Sequence, residues 1–173
     1  MRLIRARAAA WRIDPARLGL IGFSAGGHLG AMLAVGHADP VHAAIDAADA
    51  QSARPAYAGL AYPVVNFAAA GLASGSAAML LGDTIDPAVL TRHTPVARVT
   101  ADTPPVCLVH AMDDPVVPIR QSLAMIAACT EARVPVEAHL FEAGGHGFGA
   151  LHLAADMPGR MWPELFARWT ARH

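Results

Sequence analysis

The chain has 173 residues, of which 54% are hydrophobic and 16% are charged. That length predicts a single domain over residues 1–173, and that balance excludes an intrinsically disordered protein. The formal net charge of −1, with no basic run, argues against a nucleic-acid partner. No apolar stretch approaches the roughly 20 residues needed to cross a bilayer, so no membrane partner is expected either.

The first part of the chain predicts a helix, a strand and a second helix. Apolar residues recur at helical spacing over 2–11, and Pro15 then ends the helix. Arginines interrupt the apolar residues of this segment, which is not typical of a signal peptide. Residues 18–23 form an apolar run typical of a buried strand, and helix-forming residues follow over 25–35. The mixed segment 37–55 predicts little beyond a short helix.

The second part continues the alternation of strands and helices. Its predicted strands are 57–65, 105–111 and 134–141, and its predicted helices are 118–130 and one that carries Met161, Leu165 and Trp169 on its apolar face. Residues 66–94 are rich in Gly, Ala and Ser and predict loops and short helices over the top of the sheet. The whole pattern predicts an α/β protein, with about four strands in a mostly parallel sheet flanked by helices.

Neither the cysteines nor the histidines predict a metal site. Cys107 lies in an apolar run, which favours a buried free thiol, and two cysteines are too few for a zinc site. His37, Asp39 and His42 could be drawn as ligands, but their spacing matches no strong metal motif and a solvated loop is the better interpretation. We therefore expect no metal site.

The residues GFSAG at 22–26 match the pattern G-x-S-x-G. In this motif the serine sits on a sharp turn between a strand and a helix, and side chains at Gly22 and Gly26 are expected to crowd that turn. Three fixed residues also recur by chance, so a glycine-rich turn with an incidental serine is the alternative. An apolar strand directly before Ser24 and a helix directly after it favour a nucleophile.

A serine nucleophile needs a histidine base and an acid that orients the base. The order Ser, Asp, His along the chain is met by Ser24, by Asp113 or Asp114 after the third strand, and by His146 after the fourth. Spacing from His110 favours Asp114 over Asp113, which then becomes a turn or capping residue.

Two further histidines are expected to support this site. His28 follows the nucleophile by one helical turn and is predicted to pack near it without acting as the base. His110 ends a strand and is predicted to support the site from behind. The flanking glycines of His146 would let its loop bend toward Ser24.

Four segments carry a resemblance to a known family: IDPARLGLIGFSAGGHL (13–29), LAYPVVN (60–66), TPPVCLVHAMDDPVVP (103–118) and VEAHLFEAGGHGFG (136–149). They resemble the bacterial acetylxylan-esterase and feruloyl-esterase-like α/β-hydrolases, the BD-FAE-like serine esterases. The resemblance implies Ser24 as nucleophile, His146 as general base and then acid, Asp114 as its partner and the Ala25 backbone N–H as an oxyanion donor. It also implies hydrolysis of small-molecule or carbohydrate esters through an acyl-enzyme without a cofactor, with acetyl and feruloyl groups among the expected acyl groups.

The chain departs from this family at its start. Family members begin with about four more strands and a His-Gly-Gly-Gly-type loop that supplies further oxyanion donors. We therefore expect a partial, N-terminally truncated fold whose first strand leaves an apolar edge, through which two copies could pair as a homodimer. Any export signal would lie upstream, so a cytoplasmic location is expected only for the sequence as it stands. The alternatives are a catalytically impaired remnant and a peptidase or dienelactone-type hydrolase.

Overall fold

The computed structural model describes residues 1–67, 75–82, 86–150 and 152–173. Within these ranges four strands pair in parallel, in the order β1-β2-β3-β4. They are β1 (Leu20–Phe23), β2 (Ala58–Ala61), β3 (Val106–Ala111) and β4 (Val136–Phe141). Because the strands are parallel, all their carboxyl ends lie along one edge of the sheet. The predicted mostly parallel α/β sheet is confirmed.

Helices precede, connect and follow the strands. They are α1 (Arg2–Ala6), α2 (Ala8–Trp11), α3 (Ala25–Gly36), α4 (Gly75–Leu81), α5 (Pro87–Arg92), α6 (Arg120–Glu131) and α7 (Trp162–Thr170), with short 3-10 helices at Pro15–Arg17, Ala47–Ala50, Pro95–Arg98 and Pro158–Met161. None of the described helices is long and apolar enough to span a membrane.

Two apolar clusters cover the two faces of the sheet. Every residue of β2 and β3 is buried, and their side chains alternate between the faces. One face packs against α3 and α6 through a cluster that includes Ala31, Leu60, Leu108, Met125 and Cys129. The other packs against α7 through a cluster that includes Ala61, Val109, Trp162 and Phe166. This helix–sheet–helix layering fixes the carboxyl edge of the sheet and the loops that leave it.

Strand β1 lies at the side of the described sheet and pairs only with β2 there. Its Ile21 and Phe23 side chains are 43% and 39% exposed, although the adjacent β2 is fully buried. An apolar edge strand of this kind is open to pairing with another chain. Pairing of two copies through β1 stays a prediction.

The observed elements differ from the predicted ones mainly at their ends. The helix predicted over 2–11 is broken at Arg7, which leaves helical geometry (φ −102°, ψ 8°). Strand β2 ends at Ala61 and not at residue 65, because Tyr62 takes a positive φ of 38° and Pro63 has no N–H to donate. Of the predicted short helices over 66–94, the structure contains α4 and α5, and residues 68–74 and 83–85 lie outside the described residues.

The two cysteines are buried free thiols, as predicted for Cys107. Burial raises the pKa of the Cys107 thiol to about 12 and that of Cys129 to about 11. Both therefore stay protonated at neutral pH and act as apolar core residues.

Candidate active site

Ser24 occupies the turn between β1 and α3. Its backbone has φ 52° and ψ −117°, a strained conformation that residues other than glycine rarely adopt. A Cβ on Gly22 would lie 2.1 Å from the Gly26 carbonyl oxygen, so only glycine fits there. The turn therefore has the geometry that the G-x-S-x-G motif predicts, with the Ser24 side chain at the carboxyl edge of the sheet.

The expectation for the second glycine of the motif is wrong. No described atom lies within 4 Å of a Cβ built on Gly26, whereas one built on Gly27 would lie 2.8 Å from Pro63 Cβ. At this turn the backbone of Gly26 comes close to Gly22. The side of α3 that is crowded is the one at Gly27, which faces Pro63 in the segment after β2. Steric need for glycine thus falls on Gly22 and Gly27.

The structure brings Ser24, His146 and Asp114 into one hydrogen-bonded chain. Ser24 Oγ lies 2.9 Å from His146 Nε2, and His146 Nδ1 lies 2.7 Å from Asp114 Oδ2. A carboxylate can only accept, so Nδ1 carries the proton and Nε2 is left to accept from the Ser24 hydroxyl. This is the arrangement in which an imidazole can take a proton from a serine.

The Asp114 side chain is fully buried and its oxygens are all engaged. Oδ1 accepts from the backbone N–H groups of Val116 and Val117, each at 2.8 Å, and Oδ2 faces His146. Burial alone would raise the pKa of this carboxyl, but the hydrogen bonds from His146, Val117 and Val116 outweigh it and hold the pKa below its usual value. Asp114 therefore stays ionised beside His146.

His110 lies directly behind Asp114 and is completely buried. Its Nε2–H donates to the Val117 carbonyl at 2.9 Å and lies 3.3 Å from Asp114 Oδ2, while its Nδ1 accepts from the Ser122 hydroxyl at 2.8 Å. Burial lowers the pKa of His110, more than the Val117 carbonyl and the Asp114 carboxylate raise it. The His110 ring is thus a neutral donor behind Asp114. It lies in the supporting position that the sequence predicts.

Asp113 lies in the turn after β3, as predicted, but its side chain reaches a distant segment. Its Oδ1 accepts from the backbone N–H groups of Gly144 and Gly145 at 2.9 Å and 2.8 Å, in the loop that carries His146. Sequence reasoning missed this contact because it joins residues about thirty positions apart. The one signal in the sequence was that an acidic pair follows β3 while two consecutive glycines follow β4.

Tyr62 is a second residue that the sequence analysis missed. Its ring meets His146 edge-to-face at a centroid distance of 5.1 Å and Phe148 at 5.0 Å. Its hydroxyl accepts from the Gly149 N–H at 3.3 Å, and Trp162 Nε1–H donates to the Gly149 carbonyl at 2.6 Å. These contacts build one wall of the site and hold the far end of the His146 loop.

His28 packs near the site, as predicted, and its ring makes no hydrogen bond to Ser24 Oγ. Its Nδ1–H donates to the Val64 carbonyl at 2.9 Å, and its ring lies 4.7 Å from that of Phe67. Burial lowers the pKa of this imidazole, so it is neutral at pH 7. Together with Ala25 and Leu29 it lines a largely apolar groove of about 600 Å³ that begins next to Ser24.

The residues considered for a metal site have separate partners. Asp39 pairs with Arg98 at 2.6 Å, His37 with Asp102 at 3.2 Å and His42 with Asp49 at 3.6 Å. In the described part of the chain, no three His, Cys, Asp or Glu side chains converge as metal ligands.

Comparison with known proteins decides the family. A model of the BD-FAE family matches residues 1–128, which is most of the chain. The chain belongs to the BD-FAE family.

The relatives of this BD-FAE chain include two longer proteins. It is 29% identical to an acetylxylan esterase of Xylanibacter ruminicola over 152 residues, which cover 86% of the chain and 29% of that protein. It is 32% identical to endo-1,4-beta-xylanase B of Butyrivibrio fibrisolvens over 170 residues, which cover 98% of the chain and 25% of that protein. The chain thus spans less than a third of either relative.

A solved structure extends the similarity to the whole BD-FAE chain. The acetyl ester-xyloside bifunctional hydrolase of Caldicellulosiruptor lactoaceticus superposes with a TM-score of 0.86 and 36% identity, covering 99% of this chain and 62% of that one. The four-stranded sheet is accordingly part of a larger α/β-hydrolase fold in its structural neighbours. The BD-FAE match includes Ser24 and Asp114 but ends before His146, so the position of His146 relative to Ser24 depends on the three-dimensional structure.

Proposed function

We propose that this chain is a serine carboxylic-ester hydrolase that works through an acyl-enzyme on short acyl esters. The observation that carries the proposal is the continuous set of contacts Ser24–His146–Asp114, at 2.9 Å and 2.7 Å, along the carboxyl edge of a parallel sheet. Open α/β sheets build their sites at this edge. The proposal assigns Ser24 as nucleophile, His146 as general base and acid, and Asp114 as its orienting partner.

In the first half-reaction, Ser24 Oγ attacks the ester carbonyl carbon while His146 Nε2 takes the hydroxyl proton. The tetrahedral intermediate collapses, the bond to the alcohol oxygen breaks, and His146 returns the proton to that oxygen. In the second half, His146 removes a proton from water as the water oxygen attacks the acyl carbon, the bond from that carbon to Ser24 Oγ breaks, and His146 returns the proton to Oγ, which releases the acid and regenerates Ser24. The ionised Asp114 stabilises the imidazolium that forms in each half.

The negative charge on the carbonyl oxygen requires hydrogen-bond donors. Ala25 is the first residue of α3, and the first N–H groups of a helix have no partner within the helix. Its N–H follows the nucleophile directly, which is where an oxyanion donor belongs in this fold. The positive end of the twelve-residue α3 also favours an anion there.

For the substrate, we propose acetyl or feruloyl esters of plant polysaccharide. Support comes from the names of similar proteins: an acetylxylan esterase, a xylanase and an acetyl ester-xyloside bifunctional hydrolase. The apolar groove that begins at Ala25 lies where the acyl group of a Ser24 ester could extend. Carbohydrate would then be the leaving group on the solvent side.

A fluorophosphonate probe tests the nucleophile directly. We expect the folded chain to be labelled at Ser24, Ser24→Ala to take no label, and His146→Ala to lose rapid labelling. With p-nitrophenyl acetate, either substitution should reduce kcat by roughly 10⁴-fold or more, because triad members act as a unit. A folded wild-type chain that takes no label would contradict the proposal, and cleavage of peptides or lactones in preference to acyl esters would redirect it to another hydrolase class.

A further inference from the structure

Two consecutive carboxylates leave the end of β3 and reach the same loop by different routes. Asp114 contacts the ring of His146 at 2.7 Å, whereas Asp113 contacts the backbone of the residues just before His146. Asp113 Oδ1 accepts from Gly144 N–H at 2.9 Å and from Gly145 N–H at 2.8 Å. One acidic pair thus touches both the side chain and the main chain of the segment that carries His146.

Apart from the buried Phe148, that segment is irregular around His146. Residues 142–149 contain no helix or strand, and Gly145 and Gly147 take positive φ angles of 64° and 74°. No described atom lies within 4 Å of a Cβ built on either glycine, so a side chain at either position would meet open space. Glycine loses more conformational freedom on folding than any other residue, and a loop of this composition needs fixed contacts to adopt one conformation.

The described contacts hold the loop on both sides of His146. On the far side, the Gly149 N–H donates to the Tyr62 hydroxyl and the Gly149 carbonyl accepts from Trp162. On the near side, the two amide contacts with Asp113 are accompanied by close packing at Gly144, where a built Cβ would lie 3.1 Å from Ala111 Cβ and 3.2 Å from Phe148 Cδ1. Hydrogen bonds to an ionised carboxylate are roughly twice as strong as neutral ones, so the two bonds to Asp113 are expected to be stronger than the two bonds at Gly149.

We propose that Asp113 is a positioning residue, which fixes the Gly144–Gly145 turn so that one imidazole of His146 reaches Asp114 and Ser24 together. The inference rests on the proposed esterase function and adds a residue to it. Asp113 does not contact the reacting atoms and acts only through the loop. Both carboxylates belong to the turn after β3, so the base is held at its ring and at its main chain by the same rigid element.

The proposal predicts different effects for two substitutions at the same position. Asp113→Ala removes the acceptor of both amides, and a displacement of the base by about 1 Å can cost roughly 100-fold in rate. We expect kcat for p-nitrophenyl acetate to fall by roughly 10- to 100-fold with little change in KM. Asp113→Asn keeps an oxygen that can accept from both amides, so most of the lost kcat should be restored.

Asp46→Ala is the matched control. Asp46 also accepts from a backbone N–H, that of Ala48 at 2.7 Å, but it does so in the segment before β2. The Asp46→Ala substitution should lower the free energy of unfolding without changing kcat. Thermal unfolding of all three variants, followed by circular dichroism, shows whether each is folded under the assay conditions.

A second readout does not require activity. The Nδ1 proton of His146 is shared with Asp114 and gives a downfield proton NMR signal when that bond is held. We expect the signal to broaden or disappear in Asp113→Ala and to persist in Asp113→Asn and Asp46→Ala. If wild-type chain takes no fluorophosphonate label, the esterase proposal fails and this signal still tests the positioning role.

Two results would overturn the inference while leaving the esterase intact. One is an Asp113→Ala chain that is folded, keeps the wild-type kcat and keeps the Nδ1 proton signal. The other is an equal loss of kcat in Asp113→Asn and Asp113→Ala, since that would mean the negative charge matters and not the two amide contacts.

Discussion

His110 Nε2 lies 3.3 Å from Asp114 Oδ2, and the same N–H donates to the Val117 carbonyl at 2.9 Å. Val117 in turn donates its own N–H to Asp114 Oδ1. The His110 ring therefore holds the Asp114 carboxylate in two ways. It contacts the carboxylate directly through Nε2–H, and it holds Val117, whose N–H donates to the same carboxylate. Because burial lowers the pKa of His110, it does so without adding a positive charge that would compete with His146.

The first prediction concerns His110→Phe. It leaves the Ser122 hydroxyl and the Val117 carbonyl without their buried partner, which should lower the free energy of unfolding by about 1–3 kcal/mol. It should also lower kcat more than it raises KM, because Asp114 loses a donor. Urea denaturation and steady-state kinetics measure both. The same substitution at His139, whose Nε2 lies 3.1 Å from Glu137 Oε1, is the control, and an equal effect on kcat there would contradict the prediction.

The second prediction follows from the lowered pKa of Asp114. A carboxyl whose pKa is lower in the folded state than in the unfolded state stabilises the protein at pH values above the unfolded pKa of 3.8. This stabilisation is lost as the pH falls through the pKa of the folded state. We expect the free energy of unfolding of wild type to decrease more steeply below about pH 4 than that of Asp114→Asn. Urea denaturation at several pH values measures the two slopes. Equal slopes would mean that Asp114 is not stabilised in its ionised form.

The third prediction compares two glycines of the nucleophile turn. Gly22→Ala places a methyl group 2.1 Å from the Gly26 carbonyl oxygen and should destabilise the protein by roughly 1–3 kcal/mol or more. Gly26→Ala meets no described atom within 4 Å and lies in α3, so it should leave stability unchanged or raise it by up to about 1 kcal/mol. Thermal or urea unfolding decides. A larger loss in Gly26→Ala than in Gly22→Ala would reverse our assignment.

The fourth prediction separates the ring of Tyr62 from its hydroxyl. Tyr62→Phe keeps the contacts with His146 and Phe148 and loses only the bond from Gly149, so it should cost about 0.5–1.5 kcal/mol of stability and little activity. Tyr62→Ala removes the wall beside His146 and should reduce kcat markedly. Kinetics of both variants test this, and equal kcat values would show that the ring does not orient the base.

The sequence predicted the parts of the site that local patterns mark. Strand–helix alternation indicated the parallel sheet, and Ser24, Asp114 and His146 each follow a strand whose apolar run is visible. Those strands, β1, β3 and β4, run parallel in one sheet. The catalytic roles of the three residues stay predictions that the proposed labelling and kinetics test.

What the sequence did not predict depends on contacts between distant segments. Asp113 has the ordinary appearance of a turn aspartate, and only the folded chain brings Gly144 and Gly145 to it. Tyr62 looked like a strand residue because the apolar run continues to Val65, and its positive φ has no marker in the residue type. That a Cβ on Gly26 would meet open space likewise depends on how α3 packs.

The order of the strands has a consequence for the reach of the base. Ser24 follows β1 and His146 follows β4, the two outermost strands of the described sheet, so the base must cross three strand spacings, or about 14 Å. Residues 142–146, even fully extended, cover only about 17 Å. The backbone from Phe141 to His146 and the side chains of His146 and Ser24 together cover this distance, so deleting two residues from the loop would leave the imidazole short of the Ser24 hydroxyl.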